Sequence, residues 1–318
     1  MNNPIADTAN TPLVSVVMAT YNGAAFIDAQ VNSILSQTYS NLEIIIVDDG
    51  STDQTLSKLE EFAAKDDRIQ LVQNKENLGY IKNFEKGLLM AKGAFVAPSD
   101  QDDIWMPEKI SKLLDAIGES TIVYADSLLI DGQDKPIGKK LSDIKRLADF
   151  NDCISFLVGN SAAGHAMLIK TSLIKDAVPF APMIPHDHWI GFVATLYKGI
   201  KYLDIPLVYY RQHNSSVFGA VKVQEGEEQQ QVVRTKKAKD LSAIRERVRL
   251  MYNRCPASMK QEKEILRRCD KYYASFSLLN NFNRMFLFFA YNRRIMAYKQ
   301  RSMLRRWLYC IKLFFTIQ

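Results

Sequence analysis

Short, unbroken apolar runs punctuate the first part of the chain, and polar stretches with apolar residues at helical spacing separate them. Residues 13–18 (LVSVVM) and 42–47 (LEIIIV) carry almost no polar side chain, as expected of strands buried on both faces of a parallel sheet. Between them, residues 23–37 are polar, with Phe26, Ile34 and Leu35 at helical intervals. After the second run, Ser51 and Gln54 fit a capping box, and Leu56, Leu59, Phe62 and Ala63 form one helical stripe. A strand over residues 69–72, the loop NKENLGY, a helix over residues 81–90 and a fourth apolar run, AFVAP, follow. Further strands are expected over residues 122–125, 166–169 and 200–210. The alternation of strand and helix predicts an α/β protein with a doubly wound, mainly parallel sheet, whose ligands gather at the C-terminal strand ends.

From about Gln224 the pattern turns charged and helical, opening with the polar run QEGEEQQQVVRTKKAKD. Three parts are therefore expected: a flexible N-terminus (1–11), a catalytic α/β domain (12–220) and a basic, mainly helical C-terminal region (221–318). Composition agrees with a folded chain, since 47% of the 318 residues are hydrophobic and 24% charged. No run reaches the roughly 18 apolar residues of a membrane span. The first residues lack a basic patch followed by an apolar stretch, so no secretory leader is expected. Four cysteines without short paired spacing argue against a zinc cage or a disulfide framework, and a cytoplasmic setting fits.

The net charge of +6 hides a division. Residues 221–318 hold 22 Lys and Arg against 8 Asp and Glu, whereas the first 220 residues are net acidic. Near the end, Leu304, Trp307, Leu308, Ile311, Phe314 and Phe315 recur at spacings of three and four, with Arg305, Arg306 and Lys312 off the stripe. A helix of that kind lies in an anionic membrane surface; one packed on the body of the protein would carry the same stripe. No nucleic-acid-binding motif accompanies the basic residues.

Candidate chemistry sits at the predicted strand ends. Ser99-Asp100-Gln101-Asp102-Asp103-Ile104-Trp105-Met106-Pro107 crowds three carboxylates directly after a buried strand. Such carboxylates repel one another unless a cation is present, which invites Mg²⁺ or Mn²⁺; a solvated turn is the plainer reading. Asp48-Asp49-Gly50-Ser51 ends the second strand, where a carboxylate can accept from a base N–H or a ribose hydroxyl, and where Asp is also a common turn former. Ala19-Thr20-Tyr21-Asn22-Gly23 ends the first strand and offers an aromatic face for a base. No Gly-rich phosphate loop is present, which sets aside ordinary dinucleotide enzymes and P-loop NTPases.

SVVMATYNG, SILSQTYSNLEIIIVDDGSTDQT, NLGYIKNFEKGL and SDQDDIWMPEK, collinear over about residues 12–115, resemble glycosyltransferase family 2 with its GT-A fold. The later segments PHDHW and YYRQH resemble the bacterial rhamnosyltransferase-like branch. The resemblance implies that Asp49 binds the pyrimidine base with Asp48 beside it, and that Tyr21 lines the ring together with Ala19 and Thr20. Asp100 would lie by the ribose and Asp102 would hold the metal bridging the nucleotide diphosphate, supported by Asp103. His213 would complete the metal or diphosphate site, with Arg211 nearby. Asp187 would be the catalytic base, with His186 where the family usually has Glu. His165 and Asp126 could face the acceptor, with a packing or turn role the plainer expectation for both.

These roles suit glycosyl transfer. Negative charge develops on the leaving diphosphate, where a metal and a nearby cation stabilise it. A carboxylate on the opposite face takes the acceptor proton, an effect typically worth about 10²–10⁴-fold. One base and no second nucleophile imply inversion. The expected reaction moves rhamnose or a hexose from a dTDP- or UDP-linked donor to a lipid-linked saccharide acceptor in O-antigen, capsule or cell-wall glycan synthesis. The enzyme would sit peripherally on the cytoplasmic face of the inner membrane. A sugar-nucleotide nucleotidyltransferase is the alternative enzyme, although ATYNGAAFIDA lacks the basic triphosphate loop; a membrane-docked, non-catalytic nucleotide-binding module is the alternative without turnover.

Overall fold

The structure, a computed structural model, describes residues 11–212, 240–275, 277–299 and 302–315. The expected alternation is present: β1 (Val14–Thr20), α1 (Ile27–Leu35), β2 (Leu42–Asp48), α2 (Thr55–Ala63), β3 (Ile69–Gln73), α3 (Tyr80–Met90) and β4 (Phe95–Ser99). The period-two geometry of a strand divides its side chains between two cores. Val14, Val16 and Met18 of β1 join Ile44 and Ile46 of β2 against α1 and α2, whereas Val17, Ile45 and Val47 face Phe84 and Leu88 of α3. The sheet is thus covered on both sides, which explains the unbroken apolar runs. At Gly87 an added Cβ would lie 2.6 Å from Val17 Cγ1, so glycine lets α3 approach the sheet closely.

The chain continues through β5 (Ile104–Trp105), α4 (Lys109–Ile117), β6 (Ile122–Ile130), β7 (Pro136–Lys140), β8 (Met167–Lys170), α5 (Thr171–Ala177), α6 (His186–Ala194) and β9 (Ile200–Arg211). The sheet order is β3-β2-β1-β4-β8-β6-β9-β5, with β7 paired to β6. Strands β3, β2, β1 and β4 are mutually parallel; β8 is antiparallel to both β4 and β6, and β9 runs parallel to β6. Because β1 lies between β2 and β4, the chain leaves it in opposite directions, and the crevice beyond its C-terminal end is where ligands of such sheets bind.

One local expectation is overturned. Ser51 and Gln54 do not form a capping box: the Ser51 amide and hydroxyl both donate to Asp48, at 2.9 and 2.5 Å. Asp53 caps the start of α2 instead, accepting from the Thr55 amide at 3.0 Å. The carboxylate in the strand-end turn is the stronger acceptor and captures the serine first.

Among the described residues, four helices follow in the C-terminal region: α7 (Asp240–Arg254), α8 (Lys260–Tyr272), α9 (Leu278–Ile295) and α10 (Met303–Phe314). The expected boundary near residue 220, the polar run after it and residues 1–10 lie outside the described residues. Val248, Met251, Leu266, Cys269, Leu287 and Phe288 share one apolar core with Phe156, Trp189 and Phe192. Arg294 clamps this packing with bonds to both Asp152 oxygens, at 2.6 and 2.8 Å. All four cysteines are free and buried.

Candidate active site

Neighbouring strand ends bring the predicted residues together. Asp48 is fully buried, and its carboxylate is taken up by Thr20 Oγ1 at 3.1 Å and by Ser51, so it shapes the turn rather than facing solvent. Asp49 is buried as well. Its oxygens accept from the Leu78 and Gly79 amides, at 2.8 and 2.9 Å, and from Asn74 Nδ2 at 2.8 Å. Asn74 in turn bonds Asn83 and Lys86. Asp49 therefore fixes the NKENLGY loop against the end of β2. Half-buried Ala19 and buried Thr20 lead into Tyr21, which is 46% exposed. Gln101 holds the Tyr21 peptide in both directions: the Tyr21 amide donates to Gln101 Oε1 at 2.9 Å, and Gln101 Nε2 donates to the Tyr21 carbonyl at 3.0 Å. An added Cβ at Gly23 would lie 2.4 Å from Gln101 Oε1, so the glycine leaves room for this clamp.

The acidic loop after β4 presents a cluster that differs in membership from the one expected. Ligand-type atoms of Asp100, Asp103 and His165 all lie within 4.8 Å of one another. His165 Nδ1 is 3.8 Å from Asp100 Oδ2 and 3.8 Å from Asp103 Oδ2. Asp103 is fully buried; its Oδ1 accepts from the Arg211 amide at 3.0 Å, and its Oδ2 has no hydrogen-bond partner among the described residues. Burial, then the charges of Asp102 and Asp100, raises the Asp103 carboxyl well above the usual range. Asp100 keeps a side chain 41% open to the cleft, yet desolvation, Asp102 and Asp187 push its carboxyl up to about 7. Burial with Lys109 and Lys145 nearby holds His165 down to about 3, so its imidazole is neutral. Its Nε2 meets Ser127 Oγ at 2.9 Å and its ring stacks on Tyr210, 4.3 Å between centroids.

This donor set fits a divalent cation. Two crowded carboxylates resist ionising together, one buried oxygen stands unpaired, and a neutral imidazole is oriented through its other nitrogen, as metal-bound histidines are. His165, expected to pack, is thus a member of the cluster. Asp102 stands beside it, near enough to raise both carboxyls, and His213 lies outside the described residues. Arg211 supports the loop: its side chain, 2% exposed, donates from Nε to the Asp102 carbonyl at 2.6 Å and pairs with Asp134. Lys109, unnoticed in the sequence, donates to the His165 carbonyl at 2.6 Å and lies over the Trp105 ring.

Asp187 enters in the first turn of α6. Its Oδ2 accepts from Asn160 Nδ2 at 3.0 Å and from the Gly164 amide at 3.3 Å, while its Oδ1 accepts from the His188 amide at 2.7 Å. Gly164 immediately precedes His165, so one loop, NSAAGH, touches both the carboxylate and the cluster. An added Cβ at Gly164 would lie 3.1 Å from Asp187 Cβ. His186 is buried and stacked on Phe84, 3.9 Å between centroids, with neither ring nitrogen hydrogen-bonded among the described residues. Asp126 accepts from Ser127 and Ser142 and holds the turn after β7.

The pattern of Glycosyl transferase family 2 matches residues 15–176, which include Tyr21, Asp49, the acidic loop and His165. The chain belongs to that family. An uncharacterized glycosyltransferase of Haemophilus influenzae is 37% identical over 175 residues, covering 52% of this chain and 54% of that one. The Escherichia coli protein WfaP, a UDP-Glc:alpha-D-GlcNAc-diphosphoundecaprenol beta-1,3-glucosyltransferase, is 32% identical over 64% of this chain and 79% of its own. The first three curated relatives are matched over 54%, 66% and 63% of their length, about half to two thirds. Among solved structures, Staphylococcus aureus TarS in complex with UDP-GlcNAc superposes with a TM-score of 0.58 at 20% identity, over 95% of this chain and 80% of that chain. The mannosyltransferase PcManGT of Pyrobaculum calidifontis, in complex with GDP-Man and Mn²⁺, gives 0.53 at 18% identity, over 95% and 79%. The fold of this family 2 protein is GT-A.

Proposed function

We propose that this protein is an inverting, divalent-metal-dependent glycosyltransferase that extends a lipid-linked saccharide during bacterial surface-polysaccharide synthesis. The observation that carries the reading is the NSAAGH loop, which ties a helix-borne carboxylate, Asp187, to the Asp100–Asp103–His165 cluster in one crevice. Asp49, the 74–79 loop and Tyr21 form the adjoining wall, where a nucleotide base would rest.

The donor enters with its base along Tyr21 and the loop ordered by Asp49, which puts its diphosphate toward the acidic cluster. Asp100, Asp103 and His165 would hold Mg²⁺ or Mn²⁺, with Asp102 beside the diphosphate. A cation bound there supplies positive charge to the leaving diphosphate. Asp187, oriented by Asn160, Gly164 and His188, accepts the proton of the acceptor hydroxyl as that oxygen bonds to the anomeric carbon. The anomeric C–O bond breaks, and its electron pair leaves on the diphosphate. Attack from the face opposite the leaving group inverts the configuration.

The names of WfaP and of the TarS complex favour a UDP-linked hexose or N-acetylhexosamine donor and a saccharide on a polyprenyl diphosphate. A dTDP-rhamnose donor rests on the PHDHW and YYRQH resemblance alone. A lipid-linked acceptor of that kind supports a peripheral position at the cytoplasmic face of the inner membrane. The test is a panel of UDP-glucose, UDP-GlcNAc and dTDP-rhamnose with Mn²⁺, scored by thermal stabilisation and slow donor hydrolysis. One donor is expected to stabilise the wild type, and Asp187→Asn keeps that stabilisation while losing transfer to an acceptor. Stabilisation by none of the three overturns the reading.

A further inference from the structure

The first turns of helix α9 are folded inside out, whereas its later turns bury Leu287, Phe288 and Ile295 in the core. The buried face of those first turns carries Asn281 and Arg284, which are 0% and 1% exposed. Arg284 donates to the Tyr272 and Ser275 carbonyls and to Asn281 Oδ1, and Asn281 Nδ2 donates to the Phe314 carbonyl at 3.2 Å. Leu278, Leu279, Phe282 and Phe286 stand on the outside, all between 47% and 71% exposed. A helix whose outer face met only water would place these residues the other way round.

Helix α10 likewise leaves an apolar face outside. It turns Cys310 and Leu313 toward the body of the protein. Leu304, Trp307, Leu308 and Ile311 face outward, each at least 40% exposed. The sequence stripe that could have packed inward therefore points away from the core. Phe282 lies 6.3 Å from Phe314 and Phe289 lies 6.4 Å from Trp307, between ring centroids, so the two outer faces join into one surface. An apolar surface spread over two helices marks a docking site rather than scattered exposure.

We propose that the outer face of α9 and α10 docks on an anionic lipid bilayer, with its aromatic and leucine side chains set among the headgroups. This deepens the membrane-side reading given above and does not depend on catalysis. Charge selects the occupant. Residues 271–318 contain nine Lys and Arg and no Asp or Glu; among them Lys271, Arg293, Arg305 and Lys312 are exposed. A second copy meeting this face through a two-fold axis would set like charges against each other, whereas an anionic headgroup layer complements them. Among the described residues no helix is long and apolar enough to cross a membrane.

The experiment is flotation of the full chain with vesicles of phosphatidylcholine mixed with phosphatidylglycerol, and with phosphatidylcholine alone. The wild type is expected to float with the anionic vesicles and far less with the neutral ones. Phe282→Glu combined with Trp307→Glu abolishes flotation, and Arg305→Gln combined with Lys312→Gln weakens it by on the order of thirtyfold. UDP-glucose hydrolysis with Mn²⁺, measured without lipid, stays at the wild-type rate in all variants. Its absence from the wild type counts against that donor and leaves the flotation result standing. Wild type that stays in the lipid-free fraction overturns the proposal. So does flotation unchanged by the glutamate pair, or a lipid-independent dimer that this pair dissolves.

Discussion

At the scale of single residues, His165 and Ser127 carry the sharpest consequence. A neutral imidazole with one nitrogen toward two carboxylates is useful to a cation only if the ring cannot turn, and Ser127 Oγ at 2.9 Å from Nε2 is the restraint. Ser127→Ala is therefore expected to lower Mn²⁺ affinity by about 10-fold or more, the usual effect of losing such an outer partner. Titration calorimetry measures it, and unchanged affinity would remove His165 from the cation site. Gln101 acts on the other side of the crevice. Gln101→Ala frees the Tyr21 peptide and should raise the donor KM by about tenfold with little change in kcat, as for an interaction made equally in ground and transition states. The acidic residues were legible in the sequence because three carboxylates in four positions are chemically conspicuous by themselves. His165 was not, because it lies more than sixty positions from Asp103 and only the β4–β8–β6 pairing closes that distance.

At the scale of elements, α6 shows how a local pattern can serve two ends. Its apolar face, with Trp189, Ile190, Phe192 and Val193, buries it in the core, and its first turn delivers Asp187 while sinking His186 and His188. That the flanking histidines are buried is not legible in the sequence, since nothing local distinguishes them from surface ones. The His188 imidazole meets the Phe156 carbonyl through Nε2 at 2.5 Å. Desolvation, the largest cause, brings its pKa down to about 4. The unfolded chain takes a proton there from about pH 6.5 downward, while the folded chain refuses it until about pH 4. Stability is thus lost as pH falls through that window, at up to about 1.4 kcal/mol per pH unit. His188→Phe should flatten this part of the acid limb in thermal unfolding scans from pH 7 to about 4. A slope identical to wild type would mean that the ring is not held neutral. The short strands β5 and β7 went unread for a plainer reason: β5 has two residues, and β7 is exposed throughout, so neither has an apolar period.

At the scale of the whole molecule, the charge division suggests two parts, whereas the packing makes one. The acidic front and basic tail are real in composition, yet charge reports on the surface and says little about what is shared beneath it. Leu266 and Phe288 from the C-terminal helices lie in the same core as Phe156 and Trp189, and Arg294 reaches back to Asp152 across this seam. The 3-10 turn that carries Asp152 and Phe156 leads directly into the loop holding Asp187, so the tail buttresses the segment that aims the proposed base. Cavity formation at a fully buried leucine costs roughly 2–5 kcal/mol. Leu266→Ala should therefore lower the melting temperature of the entire chain, with near-UV and far-UV circular dichroism moving together in one transition. Donor hydrolysis should be lost at the same temperature. A two-step unfolding curve, with the first step leaving donor binding intact, would show that the C-terminal helices melt alone and that composition, not packing, had drawn the true boundary.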